Sequence, residues 1–224
     1  MALPPEPAFR PGLLFVHGWG FTPDFWQPVQ DRLGRQDAVR LDFGFFGPAC
    51  MEARPARPYV AVGHSLGALW LLLHRPAACL GMVLINGFAR FGAAADYRQG
   101  VPARVIDRMV QGLDHNADGV VATFRDRAGI GTPPPGAADP GRLARALAIL
   151  RDADARPLLA SPDALPPVAV LAGRVDPIVS PAMTDACFHD RLAVDWIADG
   201  GHLLPLTHPD ACAAAITHMM DAAP

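Results

Sequence analysis

Short apolar runs alternate with helical patterns along the 224-residue chain, and this alternation limits the possible folds more than any other feature. The runs resemble strands buried on both faces of a sheet and lie at 12–17, 38–41, 59–62, 81–86, 168–172 and 192–197. Helical spacing follows the first and third runs and closes the chain at 209–220. Strands alternating with helices build parallel sheets covered on both faces. The sequence therefore predicts an α/β protein with a mostly parallel, doubly wound sheet of about six strands.

Residues 88–165, between the fourth and fifth runs, show no strand pattern. Helical patches at 101–113, 119–128 and 140–153 surround a Pro/Gly breaker at 131–136. An insertion at the carboxyl edge of a sheet lies over the crevice where open α/β sheets bind ligands. We expect residues 1–87 and 166–224 to form the core and residues 88–165 to form a small helical lid.

Composition supports a packed core and argues against some partners. Hydrophobic residues make up 51% of the chain and charged residues 18%, which excludes a disordered chain. A net charge of −3 argues against nucleic acid as a partner, because binding to it requires many neutralised phosphates. Residues 90–156 contain ten Arg and eight Asp, so this segment presents either a basic face or a solvated helix surface.

Location and metal content are also constrained by the sequence. The four cysteines lie far apart without zinc-ligand spacing, and we interpret them as buried thiols in a reducing compartment. The N-terminus lacks the pattern of a signal peptide, and the longest apolar run, 66–73, is too short to span a membrane. We expect a cytoplasmic protein without a membrane span, a metal or a cofactor.

The sequence Gly63-His64-Ser65-Leu66-Gly67 has the form G-x-S-x-G between a predicted strand and a predicted helix. In this context the serine lies on a sharp turn, and glycines on both sides prevent collisions with the strand and the helix. The turn exposes the hydroxyl at the sheet edge beside a helix N-terminus, where negative charge is favoured. Ser65 is therefore the predicted nucleophile.

A serine nucleophile needs a base, and the base needs an acceptor that orients it. His202 follows the sixth strand and Asp176 follows the fifth, so we expect both at the sheet edge that carries Ser65. The chain order Ser, Asp, His is the order of this arrangement. Asp199 and Asp42 are alternative acids, whereas Asn86 at the end of the fourth strand cannot ionise.

Two backbone N–H groups are candidate donors for the oxyanion that forms during attack on a carbonyl. Leu66 follows the nucleophile, and Trp19 lies in the sequence His17-Gly18-Trp19-Gly20 after the first strand. The Trp19 indole is expected either to line the pocket or only to pack. We interpret His64 as packing beneath the serine turn and His17 as anchoring the loop.

These motifs, together with Asp176-Pro177 and Gly200-Gly201-His202, resemble the α/β-hydrolase superfamily over residues 12–220. Within it, the tryptophan and the short lid resemble pimeloyl-acyl carrier protein methyl ester carboxylesterases of biotin synthesis. The resemblance implies a cofactor-free carboxylesterase with Ser65, His202 and Asp176 as its triad. It also implies that lid arginines hold an acidic carrier protein.

The remaining site predictions follow from position. The predicted acyl pocket contains Phe88, Phe91 and Leu203, and the candidate carrier-binding arginines are Arg142, Arg145 and Arg151. An acyl thioesterase or a general short-chain esterase is the alternative enzyme. A catalytically inactive binding module with the same fold is the alternative from another functional class.

Overall fold

Six parallel strands form the central sheet of the computed structural model, which describes residues 10–132, 136–161 and 165–223. The strands are β1 (Gly12–Val16), β2 (Val39–Leu41), β3 (Tyr59–His64), β4 (Cys79–Ile85), β5 (Val168–Gly173) and β6 (Val194–Ile197). Their order in the sheet is β2-β1-β3-β4-β5-β6, and every neighbouring pair is parallel. The predicted α/β fold class and the strand number are confirmed.

Eight helices surround the sheet in the described part of the chain. They are α1 (Gln27–Leu33), α2 (Leu66–His74), α3 (Ala103–Ala128), α4 (Pro140–Asp152), α5 (Arg156–Leu159), α6 (Pro181–Phe188), α7 (Leu204–Thr207) and α8 (Pro209–Asp221). The predicted helix start near Thr22 is a 3₁₀ turn, Pro23–Trp26, which leads into α1. The two patches predicted at 101–113 and 119–128 form one helix, α3, with a kink where Asn116 leaves helical geometry.

Alternating strand residues divide the core into two layers, as the two-residue period of a strand requires. In β1, Leu13 and Phe15 pack with residues of α1 and α8, whereas Leu14 and Val16 pack with α2 and α6 on the other face. Most buried apolar residues of α3 and α4, among them Leu113 and Leu143, are continuous with this second layer, whereas Ala128 at the end of α3 packs with the first layer.

The segment 88–165 contains α3, α4 and α5 and no named strand among its described residues. Part of its breaker, residues 133–135, lies outside the described residues, as do residues 162–164. We call this segment the cap. Because Ser65, in the turn between β3 and α2, lines one cavity together with residues of α3 and α4, these two helices lie over that turn.

The cysteines only partly match their prediction. Cys187 and Cys212 are buried, but Cys50 is exposed and Cys79 is half-buried, so the prediction of buried thiols is wrong for these two. Cys50 lies in the surface loop after β2, where it pairs through its backbone with Asp42. Among the described residues, no helix has the length and apolar character of a membrane span.

Candidate active site

Ser65 occupies the turn between β3 and α2 with φ 53° and ψ −115°, a backbone conformation that residues other than glycine rarely adopt. A Cβ atom on Gly63 would lie 2.6 Å from the Ala68 nitrogen, and one on Gly67 would overlap the Val16 carbonyl oxygen. The backbone N–H of Ser65 donates to the Ile85 carbonyl at 3.1 Å, which ties the turn to β4. Both glycines of the motif are therefore required by the close approach of the backbone.

Asp176 and His202 form a buried hydrogen bond where β5 and β6 end. The His202 Nδ1 lies 2.8 Å from the Asp176 Oδ2, and neither side chain is exposed. Because a carboxylate oxygen accepts, Nδ1 carries the proton and Nε2 is the basic nitrogen of the neutral ring. The Val175 N–H donates to the Gly200 carbonyl at 3.0 Å and holds the two loops together.

Asp176 accepts hydrogen bonds on both oxygens. The N–H groups of Ile178 and Val179 donate to Oδ1 at 2.7 and 2.8 Å. The Asn86 Nδ2 donates to Oδ2 at 2.8 Å and to the Gly201 carbonyl at 3.2 Å. Since both of these partners are acceptors, the orientation of the amide is fixed. Asn86, considered from sequence only as a position for an acid, therefore holds the carboxylate.

The alternative acids lie elsewhere. The Asp42 Oδ1 is 3.3 Å from the His17 Nε2, and the Asp199 Oδ1 is 3.3 Å from the His208 Nε2. Among the described residues, Asp176 is thus the carboxylate that contacts His202.

The Nε2 of His202 is buried and has no hydrogen-bond partner among the described residues, so the Ser65 hydroxyl does not donate to it in this structure. Ser65 and Phe124 line the same cavity, and the Phe124 ring centroid is 6.4 Å from the His202 imidazole. Hydrogen bonds of catalytic groups often tighten only when substrate binds. The His202 Nε2 therefore lies near the cavity wall that carries Ser65 and has no hydrogen-bond partner among the described residues.

His64 lies beneath the turn, and its Nε2 donates to the backbone carbonyl of His202 at 2.8 Å. Burial, and then the proximity of His202, hold the pKa of His64 well below its usual value, so the ring is neutral. Its Nδ1 is buried without a partner among the described residues. His64 therefore packs beneath the serine turn, as expected from the sequence, and supports the loop that carries His202.

The loop after β1 passes beside Ser65. A Cβ atom on Gly18 would lie 3.3 Å from the Ser65 Cβ. The fully buried His17 Nδ1 donates to the Gly18 carbonyl at 2.8 Å, and its Nε2 accepts from the Phe43 N–H at 3.3 Å. This anchors the segment that contains the Trp19 N–H. Leu66 is the first residue of α2, and the first N–H groups of a helix have no acceptors within the helix, so the Leu66 N–H has no intrahelical partner.

A cavity of about 730 Å³ opens between the sheet edge and the cap, and we call it the main cavity. Ser65 and Trp19 line it, and its other walls are largely apolar, including Met109, Phe124 and Leu147. Thr123 and Ser180 add hydroxyl groups, and two exposed arginines also line it, Arg108 and Arg127. The sequence analysis did not identify Met109, Phe124 or Leu147, because their common wall exists only where α3 and α4 pack against each other.

The predicted pocket residues separate in the structure. Phe91 lines the main cavity. Phe88 is fully buried behind it, with ring centroids 4.9 Å apart, and does not form part of the wall. Leu203 packs with Phe21 and Ile216 in the core layer on the other face of the sheet. The pocket placement of Phe88 and Leu203 is therefore corrected: the first lies one layer deeper, and the second points to the other face.

The predicted arginines of α4 do not line the main cavity. Arg142 donates to the carbonyls of Gly44 and Gly47. Arg151 pairs with Asp107 and Asp152 at 2.8 and 2.9 Å. Arg145 and Arg142 line a smaller cleft of about 460 Å³ between α4 and α2. We call this cleft the side cavity.

Substitution His64→Gln tests the neutral state of His64. The unfolded chain binds a proton on this residue below about pH 6.5 and the folded chain does not, so acid weakens folding by up to about 1.4 kcal/mol per pH unit. Glutamine retains an N–H for the His202 carbonyl and does not titrate. We expect the free energy of unfolding, measured with urea, to fall less between about pH 6 and pH 5 for His64→Gln than for the wild type. The exposed His189→Gln variant should retain the wild-type slope, and equal slopes for all three proteins would contradict the neutral state.

Comparison with known proteins identifies a matching family and several relatives. The alpha/beta hydrolase family model matches residues 13–215. The pimeloyl-[acyl-carrier protein] methyl ester esterase of Stenotrophomonas maltophilia strain R551-3 is 28% identical over 246 residues, covering 94% of this chain and 93% of that protein. The enzyme of that name from Neisseria meningitidis strain FAM18 is 29% identical and covers 89% of each.

Solved structures share the fold at lower identity. An esterase from Exiguobacterium antarcticum superposes with a TM-score of 0.76 at 14% identity, covering 96% of this chain and 94% of that one. A hydrolase from Pseudomonas aeruginosa gives 0.68 at 21% identity, covering 96% and 92%. With a strained serine between β3 and α2, a buried Asp–His pair after β5 and β6, and a family match over nearly the whole sequence, the chain belongs to the α/β-hydrolase family.

Proposed function

We propose that this chain is a serine carboxylesterase that hydrolyses the methyl ester of pimeloyl-acyl carrier protein, the reaction named for its relatives from Stenotrophomonas and Neisseria. The observation that carries the proposal is the buried hydrogen bond from His202 to Asp176. It leaves Nε2 near a strained serine and without a hydrogen-bond partner among the described residues. In this arrangement Ser65 is the nucleophile, His202 is the base and Asp176 orients the base.

The reaction has two halves. The Ser65 Oγ bonds to the ester carbonyl carbon while its proton passes to the His202 Nε2, and the N–H groups of Trp19 and Leu66 stabilise the oxyanion. The carbon–oxygen bond to the methoxy group then breaks, and the imidazolium returns the proton, so methanol leaves. Water attacks the acyl-enzyme with His202 again as base, which releases the carboxylic acid and restores Ser65. Asp176 stays ionised throughout and stabilises the imidazolium.

The main cavity supports an acyl substrate. Its walls, among them Phe91, Met109 and Leu147, are apolar, and a cavity of about 730 Å³ falls within the range that holds small-molecule ligands. A thioesterase or a short-chain esterase could use the same walls, and the rates for a methyl ester and its matching thioester distinguish these activities. We propose that the cap acts as the lid of this cavity, because α3 and α4 supply much of its wall.

A fluorophosphonate probe tests the nucleophile, because it forms a covalent bond only with an activated serine. We expect one adduct on Ser65 in the wild type and none in Ser65→Ala. In both Ser65→Ala and His202→Ala, kcat for a small ester should fall by about 10⁶-fold if the triad acts as a unit. His189→Ala, at an exposed position, should retain activity. A folded wild-type protein that gives no adduct would instead indicate the inactive binding module.

We propose that a carrier protein approaches the mouth of the main cavity, where Arg108 and Arg127 are exposed. Arg127 donates to the Pro177 carbonyl at 3.1 Å. By contrast, Arg142 and Arg151 are bound within the chain, and Arg145 lines the side cavity. Arg108 is thus better placed than the arginines of α4 to meet an acidic carrier whose acyl group enters the main cavity.

Charge reversal distinguishes the two sets of arginines. We expect Arg108→Glu to raise KM for a carrier-linked methyl ester by about 10-fold, because it replaces attraction at the cavity mouth with repulsion. The kcat for a small free methyl ester should remain within about 2-fold of the wild type. Arg145→Glu is the matched control and should leave both values near those of the wild type. A rise in KM with Arg145→Glu alone would assign docking to α4.

A further inference from the structure

Arg125 on α3 is a buried cation whose hydrogen bonds in the described part of the chain all go to uncharged acceptors. Its residue exposure is 7%. The Nη1 donates to the Gly20 carbonyl at 3.1 Å, Nε donates to the Thr132 carbonyl at 3.2 Å, and Nη2 donates to the Thr132 Oγ1 at 3.4 Å. The guanidinium carbon also lies 5.1 Å from the centroid of the Phe21 ring.

Burial of this charge is costly unless the contacts compensate for it. Removing a guanidinium from water is unfavourable, and an apolar side chain of similar volume often packs at least as stably. The carbonyl hydrogen bonds and the Phe21 ring offset part of that cost. These contacts fix the position of the Gly20 carbonyl, one residue after Trp19.

Trp19 itself is held by the cap from two further directions. Its indole Nε1 donates to the Leu143 carbonyl of α4 at 3.1 Å. The Phe124 ring of α3 meets the Trp19 ring edge to face, with centroids 4.9 Å apart and an angle of 89°. Gly20, at φ 74°, has Phe124 and Val121 as the nearest neighbours of a Cβ position, at 3.4 and 3.7 Å. The loop that follows β1 is therefore enclosed by α3 and α4.

We propose that Arg125 is a positioning residue that couples the cap to the oxyanion donors: by holding the Gly20 carbonyl, it makes the position of the Trp19 N–H depend on the seating of α3. This inference rests on the esterase function proposed above. As a consequence, the N–H groups of Trp19 and Leu66 are both in position only while the cap packs against the loop after β1. A cap displaced from the core weakens stabilisation of the oxyanion even though the triad is intact.

Arginine is suited to this role because its planar fork reaches the Gly20 carbonyl and both Thr132 acceptors at once, whereas a lysine offers a single point charge. Arg125→Lys and Arg125→Met should therefore both misplace the loop. Arg104→Met, on the exposed start of α3, is the matched control. Trp19→Phe removes the indole N–H to Leu143 and keeps the backbone N–H, so it tests the second anchor without altering the buried charge.

The experiment measures kcat and KM for p-nitrophenyl butyrate and the inhibition constant of an alkyl trifluoromethyl ketone, whose adduct with the serine places an oxyanion in the hole. Loss of an oxyanion donor costs about 10²-fold to 10³-fold in kcat, and a misplaced donor should cost about 10-fold to 100-fold. We expect kcat and ketone affinity to fall together in both Arg125 variants and in Trp19→Phe. In the Arg125 variants KM should stay nearly unchanged, as for an interaction made only in the transition state. Arg104→Met should match the wild type.

Folded Arg125 variants with wild-type kcat and ketone affinity would overturn the inference, and so would a rise in KM alone. If neither Arg125 variant folds, Trp19→Phe decides, because unchanged kcat and ketone affinity would then show that the cap contacts do not set the donors. Failure of the proposed function gives a different result. In that case the wild type itself neither hydrolyses the ester nor reacts with a fluorophosphonate.

Discussion

The hydrogen bond between Asp176 and His202 is the interaction on which the site depends. A buried carboxylate is stable only if its oxygens are satisfied, and here four N–H groups donate to it, from His202, Asn86, Ile178 and Val179. These donors come from the ends of β4, β5 and β6, so the carboxylate joins three loops. The direction of the His202 imidazole therefore depends on the order of the strands in the sheet.

Strain at Ser65 is the second constraint, and neighbouring contacts hold it. A positive φ at a serine costs on the order of 1–3 kcal/mol and persists only where the surroundings fix it. The bond from the Ser65 N–H to the Ile85 carbonyl and the close approach of Gly67 to Val16 supply that restraint. The same close packing brings Gly18 beside Ser65 and so places the loop after β1 next to the nucleophile. The Ser65 turn and the loop after β1 are thus parts of one packed unit.

Local and topological features of the site could be predicted from the sequence, and contacts between distant segments could not. The motif around Ser65 fixes a turn, and strand order predicts that loops with Asp176 and His202 meet. Asn86 has no motif, since its role depends on where Asp176 lies in space. Adjacency in sequence also misled: Leu203 follows His202 directly, yet its side chain packs on the other face of the sheet. Helix α6 was missed although Ser180, whose hydroxyl accepts from the Met183 N–H, and Pro181 form a standard helix start.

In the proposed mechanism His202 is a base because its proton lies on Nδ1, and nitrogen-15 NMR of histidine side chains tests this most directly. For the neutral imidazole of His202 in the free protein, we predict that the proton lies on Nδ1, in a hydrogen bond that shields it from exchange and shifts its resonance far downfield. The resonance should persist in Ser65→Ala, which leaves Asp176 in place. A folded protein in which the His202 proton resides on Nε2, or in which Nδ1 shows no protected proton, would contradict the role of His202 as the base.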